Sequence, residues 1–209
     1  MIKMLALDLD GTLAIENHQI LAATRSALSA LHDSGVEVVI ATGRRYRTTR
    51  YVIGNLGFEV FAVCNGGALI KTPKQSTLHR EAFDVGPIVK ITRQAGLTIF
   101  AQRDAHDLGG PDFVLDNGVT WNSVTDKHYK DNKNWSGSVD LLEQPPEFLV
   151  SGLFGEQGEL EALAQEIHRA YPDAYNTIVV SHLGSKHFYC EITQKHVDKW
   201  SGLTRLTEH

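Results

Sequence analysis

From Ile2 to Cys64 the chain alternates between buried-strand and helix patterns, and every strand pattern stops at a polar or glycine-rich turn. Ile2–Leu9 is an apolar run broken only by Lys3 and Asp8 and followed by Asp10-Gly11, which suits a short strand buried on both faces of a parallel sheet. Between Ile20 and His32, residues Ile20, Leu21, Ala27, Leu28 and Leu31 recur at helical spacing, and Gly35 provides the stop. Val36–Ala41 reads as a second strand closed by Thr42-Gly43, Arg45–Leu56 as a second helix ended by Gly57, and Phe58–Cys64 as a third strand closed by Asn65-Gly66-Gly67. Strand–helix–strand–helix–strand implies parallel strands with right-handed crossovers, the doubly wound α/β class. In such sheets ligands sit outside the carboxyl ends of the strands. Three turns are expected there: Asp8-Leu9-Asp10-Gly11-Thr12, Thr42-Gly43-Arg44 and Asn65-Gly66-Gly67.

Beyond Lys71 the rhythm changes. Val85–Gln94 reads as helix, Leu97–Gln102 as strand, and Asp104 to Trp135 as a polar stretch rich in Gly, Asp and Asn. Phe148–Phe154 follows as a strand, Glu159–Tyr171 as an amphipathic helix, Thr177–His182 and His187–Thr193 as strands, and His196–Leu206 as a last helix. Strands with helices on one side predict an α+β unit inserted after the third core strand. The expected division is a core of residues 1–82 and 194–209 around a cap of residues 83–193.

A 42% hydrophobic content is enough for a real core. The net charge of −5 carries no electrostatic footprint for nucleic acid or an anionic membrane. An anionic ligand must then be held locally, by a metal ion, a helix terminus or a few placed cations. No apolar run is long enough to span a bilayer, and the N-terminus turns acidic too soon for a secretory leader. Cys64 and Cys190 form no C-x-x-C pair and suit apolar packing in a reducing cytoplasm. The ten histidines contain no H-x-x-x-H or H-E-x-x-H spacing, which argues against zinc.

Asp8 and Asp10, two apart at a strand end, can lean to the same side. They could share a hard cation, or one could attack phosphorus as a nucleophile; the plain alternative is a strand ending in an Asp-Gly turn. Thr42-Gly43 is equally a strand-to-helix turn, Arg44 a surface ion-pair partner, and Asn65-Gly66 a common tight turn. Lys199, beside Lys195, reads by default as part of a solvated helix face. His182, His187 and Tyr189 could face a substrate or belong to core and surface. Trp121 and Trp135 could anchor a loop or stack on a ligand.

Taken as a whole, Asp8-Leu9-Asp10-Gly11-Thr12-Leu13 resembles the first signature of the haloacid dehalogenase superfamily. Ala41-Thr42-Gly43-Arg44 is similar to the second signature of its Cof-type branch, whose cap is of class IIB, and Cys64-Asn65-Gly66-Gly67 resembles the turn that precedes that cap. Glu191-Ile192 and Val197-Asp198-Lys199 resemble the stretch that delivers the third-signature lysine, although this chain has Lys199-Trp200 where the family more often has Lys-Gly. The resemblance implies a Mg²⁺-dependent phosphatase acting on a small phosphorylated metabolite such as a sugar phosphate. It implies Asp8 as nucleophile, Asp10 as general acid and base, and Lys199 as a fixed charge. Leu9, Thr42, Gly43, Arg44, Asn65 and Gly66 would bind substrate. Mg²⁺ would be held by an Asp8 carboxylate oxygen and the Asp10 carbonyl, under a cap that closes and sets specificity.

The family's fourth signature, a strand with Gly-Asp and Asn-Asp pairs, would follow the lysine helix, and no such pair follows Lys199. Weaker metal binding and an open edge on the first strand are expected. A fragment, a natural truncation and an assembly such as a homo-oligomer covering that edge all fit; the truncated chain is the favoured expectation. Two other readings stand beside the phosphatase: an inactive phosphate-binding or interaction protein on the same fold, and a phosphomutase.

Overall fold

The computed structural model describes residues 2–14, 19–181 and 186–209. The chain forms two compact units, Met1–Glu81 with Val197–His209, and Ala82–His196. No helix among the described residues is long and apolar enough to cross a membrane.

The first unit contains strands β1 (Met4–Asp8), β2 (Glu37–Ala41), β3 (Phe61–Cys64), β4 (Leu69–Lys71) and β5 (Thr77–Arg80), hydrogen-bonded in that order. Helices α1 (Ala22–Asp33) and α2 (Tyr46–Ile53) connect the first three strands, and α7 (Lys199–Thr207) comes from the C-terminal segment. β1, β2 and β3 are parallel, with Asp8 opposite Ala41 and Ala41 opposite Val63. Side chains on alternate residues of β2 serve two cores. Val38 and Ile40 pack with Leu28 of α1 and Val52 of α2, while Val39 and Ala41 pack with Val63, Ile70 and Leu206 of α7. Helices on both faces are what the continuous apolar run of β2 requires.

β1 departs from the expectation of burial on both faces. It stands at the sheet edge, its residues are half-buried, and Ala6 is exposed. Among the described residues β1 has the open edge expected of the first strand; the apolar run by itself marks a strand and not its place in the sheet. The antiparallel strands β4 and β5 were not foreseen. Each is three or four residues long, too short for a period-2 pattern to stand out.

The second unit is built on a six-stranded sheet in the order β10-β11-β9-β6-β7-β8. Its strands are β6 (Phe100–Gln102), β7 (Phe113–Asp116), β8 (Ser136–Val139), β9 (Val150–Gly155), β10 (Tyr175–Ser181) and β11 (Phe188–Gln194). Helices α3 (Gly86–Gln94) and α6 (Gln157–Ala170) bury Ile88, Val89, Leu160, Leu163 and Ile167 against Ala101, Leu153, Cys190 and Ile192. The reading of helices on one side alone is corrected here. Helix α5 (Ser123–Asp131) is associated with the other face, where Val124 and Tyr129 pack on Phe100, Phe113 and Phe154. The stretch from Asp104 to Trp135 therefore holds the short helix α4 (Ala105–Leu108), β7 and α5. Its polarity reflects α5's solvent side, where Lys127–Asp131 and Lys130–Asp126 pair at i,i+4.

Between β7 and α3 lies a charged knot. The Arg93 guanidinium donates from Nε and Nη2 to Asp116, at 2.8 and 2.6 Å, and from Nη2 to Asp140 at 2.6 Å. Asp116 is completely buried and also accepts from the Leu141 N–H at 3.2 Å. The two carboxylates raise the Arg93 pKa, and the guanidinium holds that of Asp140 below its ordinary value.

Candidate active site

Asp8 is the last residue of β1, and the chain turns directly beyond it. Leu13 N–H donates to the Asp8 carbonyl at 3.3 Å, Ala14 N–H to Leu9 at 2.7 Å, and Gly11 N–H to Ala14 at 3.1 Å. Gly11 sits at φ +72°, where a side chain would be strained. Leu9 and Leu13 are buried in the core beneath, which anchors the turn. Alternation at the strand end sends Leu9 inward and leaves Asp8 and Asp10 partly exposed, with side chains 38% and 56% accessible. Leu9 is wholly enclosed, main chain included, so the structure does not expose the residue expected to bind substrate.

The second and third turns interlock. Thr42 N–H donates to the Val63 carbonyl at 2.8 Å, and the buried Thr42 hydroxyl accepts from Arg44 N–H at 3.1 Å. Asn65 N–H donates to Arg44 C=O at 2.9 Å, and Gly66 N–H to Thr42 C=O at 3.2 Å. Asn65, at φ +50°, is one of the few residue types that adopt the left-handed region readily. Because Asp8 faces Ala41 across the parallel register, Thr42 and Gly43 lie just past the same sheet end as Asp8.

Two cations meet the two carboxylates. Lys199 Nζ donates to Asp8 Oδ1 at 2.5 Å across 191 residues of sequence. Lys199 is the first residue of α7, and the helix start is fixed by reciprocal caps: Asp198 Oδ1 accepts from Ser201 N–H at 2.7 Å, and Ser201 Oγ accepts from Asp198 N–H at 2.9 Å. Arg44 forks onto Asp10, donating from Nε to Oδ2 at 2.8 Å and from Nη2 to Oδ1. Arg44 is thus the ion-pair partner that one reading of it expects; Thr42-Gly43-Arg44 gives the arginine's position but not that its partner is Asp10. Asp198 with a serine three residues on is a legible helix start, two residues inside the predicted His196–Leu206 helix.

The cluster thus pairs a lysine-bound carboxylate with an arginine-bound one beside a buried hydroxyl and two glycine-containing turns. Among the described residues, no group of three or more His, Cys, Asp or Glu is arranged to hold a metal ion. Mg²⁺ is often held by one or two carboxylates together with substrate phosphate oxygens and waters. Lys199 bonds Asp8 through Oδ1; Asp8 Oδ2 and the Asp10 main-chain carbonyl are donors that fit a lightly held hard cation of this kind.

In the second unit the candidate ligand groups have local partners. Trp121 anchors a loop: its Nε1–H donates to Asp116 C=O at 2.8 Å, and its ring packs on Tyr129 at 5.0 Å. Trp135 is 42% exposed. Tyr189 stacks on Phe100, with ring centroids 6.0 Å apart, and His187 Nδ1 lies 3.5 Å from Glu156. His182, the end of one predicted strand, lies outside the described residues.

A family model of haloacid dehalogenase-like hydrolases matches residues 5–209. The chain is 33% identical over 84 residues to an HMP-PP phosphatase of Enterobacter sp. (strain 638), covering 40% of this chain and 31% of that protein. It is 34% identical over 82 residues to phosphatase YwpJ of Bacillus subtilis (strain 168), covering 39% and 29%. These matches therefore span about a third of each curated relative's length. Among solved structures, a haloacid dehalogenase-like hydrolase from Bacteroides thetaiotaomicron superposes with a TM-score of 0.72 at 21% identity, covering 100% of this chain and 77% of that one. A HAD subclass IIB sugar phosphatase superposes with a TM-score of 0.69 at 18% identity, covering 99% and 75%. At those identities the likeness is one of fold.

Proposed function

The chain belongs to the haloacid dehalogenase-like hydrolase family, and we propose that it hydrolyses a small phosphomonoester through an aspartyl-phosphate on Asp8. The observation that carries this reading is the Lys199–Asp8 contact. A lysine from the C-terminal segment lies on a carboxylate at the end of the first strand, beside the turns Thr42-Gly43-Arg44 and Asn65-Gly66-Gly67.

One oxygen of the Asp8 carboxylate attacks phosphorus, the other being left to the metal, and the P–O bond to the leaving alcohol breaks. Asp10 supplies the proton that the departing oxygen takes up. A water molecule then attacks phosphorus of the acyl phosphate, giving its proton to Asp10, and Asp8 leaves as the free carboxylate. The Thr42 hydroxyl and the main-chain N–H of Gly43 bind phosphate oxygens, and Asn65 and Gly66 brace that cradle through their bonds to Arg44 and Thr42. Lys199 keeps a positive charge beside the nucleophile and the phosphate as charge develops, the electrostatic stabilisation on which phosphoryl transfer depends. Arg44 exchanges one anionic partner for another, turning from Asp10 to the incoming phosphate. Mg²⁺, held by Asp8 and the Asp10 carbonyl, would neutralise phosphate oxygens when bound.

The relatives are named as phosphatases of HMP-PP and of sugar phosphate, which supports a small phosphorylated metabolite as the substrate class. The buried free thiols Cys64 and Cys190 suit a reducing compartment, which supports a cytoplasmic location. The test is release of phosphate from p-nitrophenyl phosphate with Mg²⁺ present. Hydrolysis that disappears in Asp8→Asn and on chelation with EDTA supports the reading. Full activity in Asp8→Asn removes Asp8 as nucleophile. Phosphate retained on a sugar acceptor points instead to a mutase.

A further inference from the structure

Lys199 reaches Asp8 from the first turn of a helix, so its reach depends on where that helix starts. Helix α7 begins against the turn Asn65-Gly66-Gly67, and the two backbones meet at their closest. A Cβ built on Gly67 would stand 1.9 Å from the Asp198 carbonyl oxygen and 3.2 Å from Lys199 N. A Cβ on Gly202 would stand 2.6 Å from Val63 Cγ1 and 2.9 Å from Gly67 Cα. The Asp198 carbonyl over Gly67 is the same one that accepts the Gly202 N–H at 3.0 Å. Both sides of the contact therefore lack side chains where a single methyl group would find no room.

We propose that Gly67 and Gly202 are positioning residues, forming a side-chain-free seam that sets the Lys199 ammonium against Asp8. The proposal rests on the catalytic reading of Lys199. The seam acts on Lys199 as a rigid body. The reciprocal Asp198–Ser201 caps lock the residues on either side of Lys199, so pushing the Asp198 carbonyl off Gly67 carries the whole first turn away. The displacement needed to relieve a 1.9 Å contact is about 1 Å or more. Misplacement on that scale costs roughly 100-fold in rate where a group must meet a reacting centre.

Gly66 provides the control. It shares the left-handed conformation, at φ +63° against +112° for Gly67, but a Cβ there would meet nothing within 4 Å. Gly66→Ala therefore imposes turn strain without opening the seam. The readout is the NMR signal of the Lys199 side chain after reductive ¹³C-methylation of the lysines, assigned with Lys199→Arg. Asp8→Asn marks where that signal falls once the ion pair is lost.

Gly67→Ala is expected to shift the Lys199 signal to its Asp8→Asn position, while Gly66→Ala leaves it at the wild-type position. Gly202→Ala should shift it in the same direction. That residue lies in a helix, where alanine is preferred to glycine, so it carries the test if Gly67→Ala does not fold. An unmoved signal in Gly67→Ala and Gly202→Ala, absorbed by the flexible lysine stem, overturns the seam; so does an equal shift in Gly66→Ala. With p-nitrophenyl phosphate, Gly67→Ala should lower turnover about 100-fold in the wild-type background and not at all in Lys199→Ala. A further drop in Lys199→Ala would reveal a general structural role and overturn the proposal. Absence of any hydrolysis by the wild-type chain counts against the phosphatase reading alone, and the NMR comparison then decides the seam.

Discussion

At the scale of single residues, the Lys199–Asp8 and Arg44–Asp10 ion pairs make separable demands. Lys199 bonds Asp8 directly, so Lys199→Ala should cut turnover of p-nitrophenyl phosphate by about 10²–10³-fold, the usual cost of removing one preorganised electrostatic group. KM should change much less. Arg44 behaves differently, because its fork holds Asp10 in the free protein and a phosphate would have to compete for it. Lysine cannot reproduce a planar fork, so Arg44→Lys should raise KM several-fold in steady-state kinetics while hydrolysis persists. A turnover loss as deep as that of Asp8→Asn would instead place Arg44 in the chemistry itself. Neither partner could be read locally. Taken alone, Lys199 looks like any lysine near Lys195 on a polar helix face; the resemblance of Val197-Asp198-Lys199 to the third signature singles it out, and the fold returns it to Asp8 across 191 residues.

At the scale of elements, the sequence was most legible where one period dominated. Val38, Val39 and Ile40 form an unbroken buried run, which between the flanking turns reads as a strand covered on both faces, as β2 is. Leu160, Leu163 and Ile167 mark the inner face of α6 in the same way. The pattern failed where an element is short or mostly wet. β4 spans Leu69–Lys71, and α5 shows its charged side in sequence while Val124 and Tyr129 turn inward. Asp116 is the sharpest case, a carboxylate completely buried at the end of β7 within a stretch that composition marks only as polar. Arg93 makes that burial tolerable. Arg93→Ala would strand the Asp116 carboxylate, and removing one partner of a buried pair costs roughly 3–5 kcal/mol. The urea midpoint should fall accordingly, with Trp121, bonded to the Asp116 carbonyl, as the fluorescent reporter. A shift below about 1 kcal/mol would mean that water reaches Asp116.

At the scale of the whole molecule, each unit has its own core, and the second contains groups that couple its stability to alkaline pH. Cys190 lies fully enclosed among the side chains packed under α3 and α6, and burial, reinforced by the Glu191 charge, pushes its thiol from 9.0 up to about 12. Tyr175, in the same core, is also raised, by burial first and then by the Asp84 charge. The direction of the effect follows from proton binding. Between about pH 9 and 12 the unfolded chain gives up the Cys190 proton while the folded chain keeps it, so the unfolded state binds fewer protons and stability declines as pH rises. The contribution is fully present below pH 9.0 and is lost progressively up to about 12, on the order of 4 kcal/mol in all for a three-unit difference. Urea denaturation at pH 8 and at pH 10.5 should therefore show a midpoint that falls with pH in the wild-type chain. Cys190→Ala should start lower at pH 8 because of the cavity it leaves, yet lose less between the two pH values. Parallel declines in the two proteins would place the alkaline sensitivity elsewhere than the Cys190 thiol.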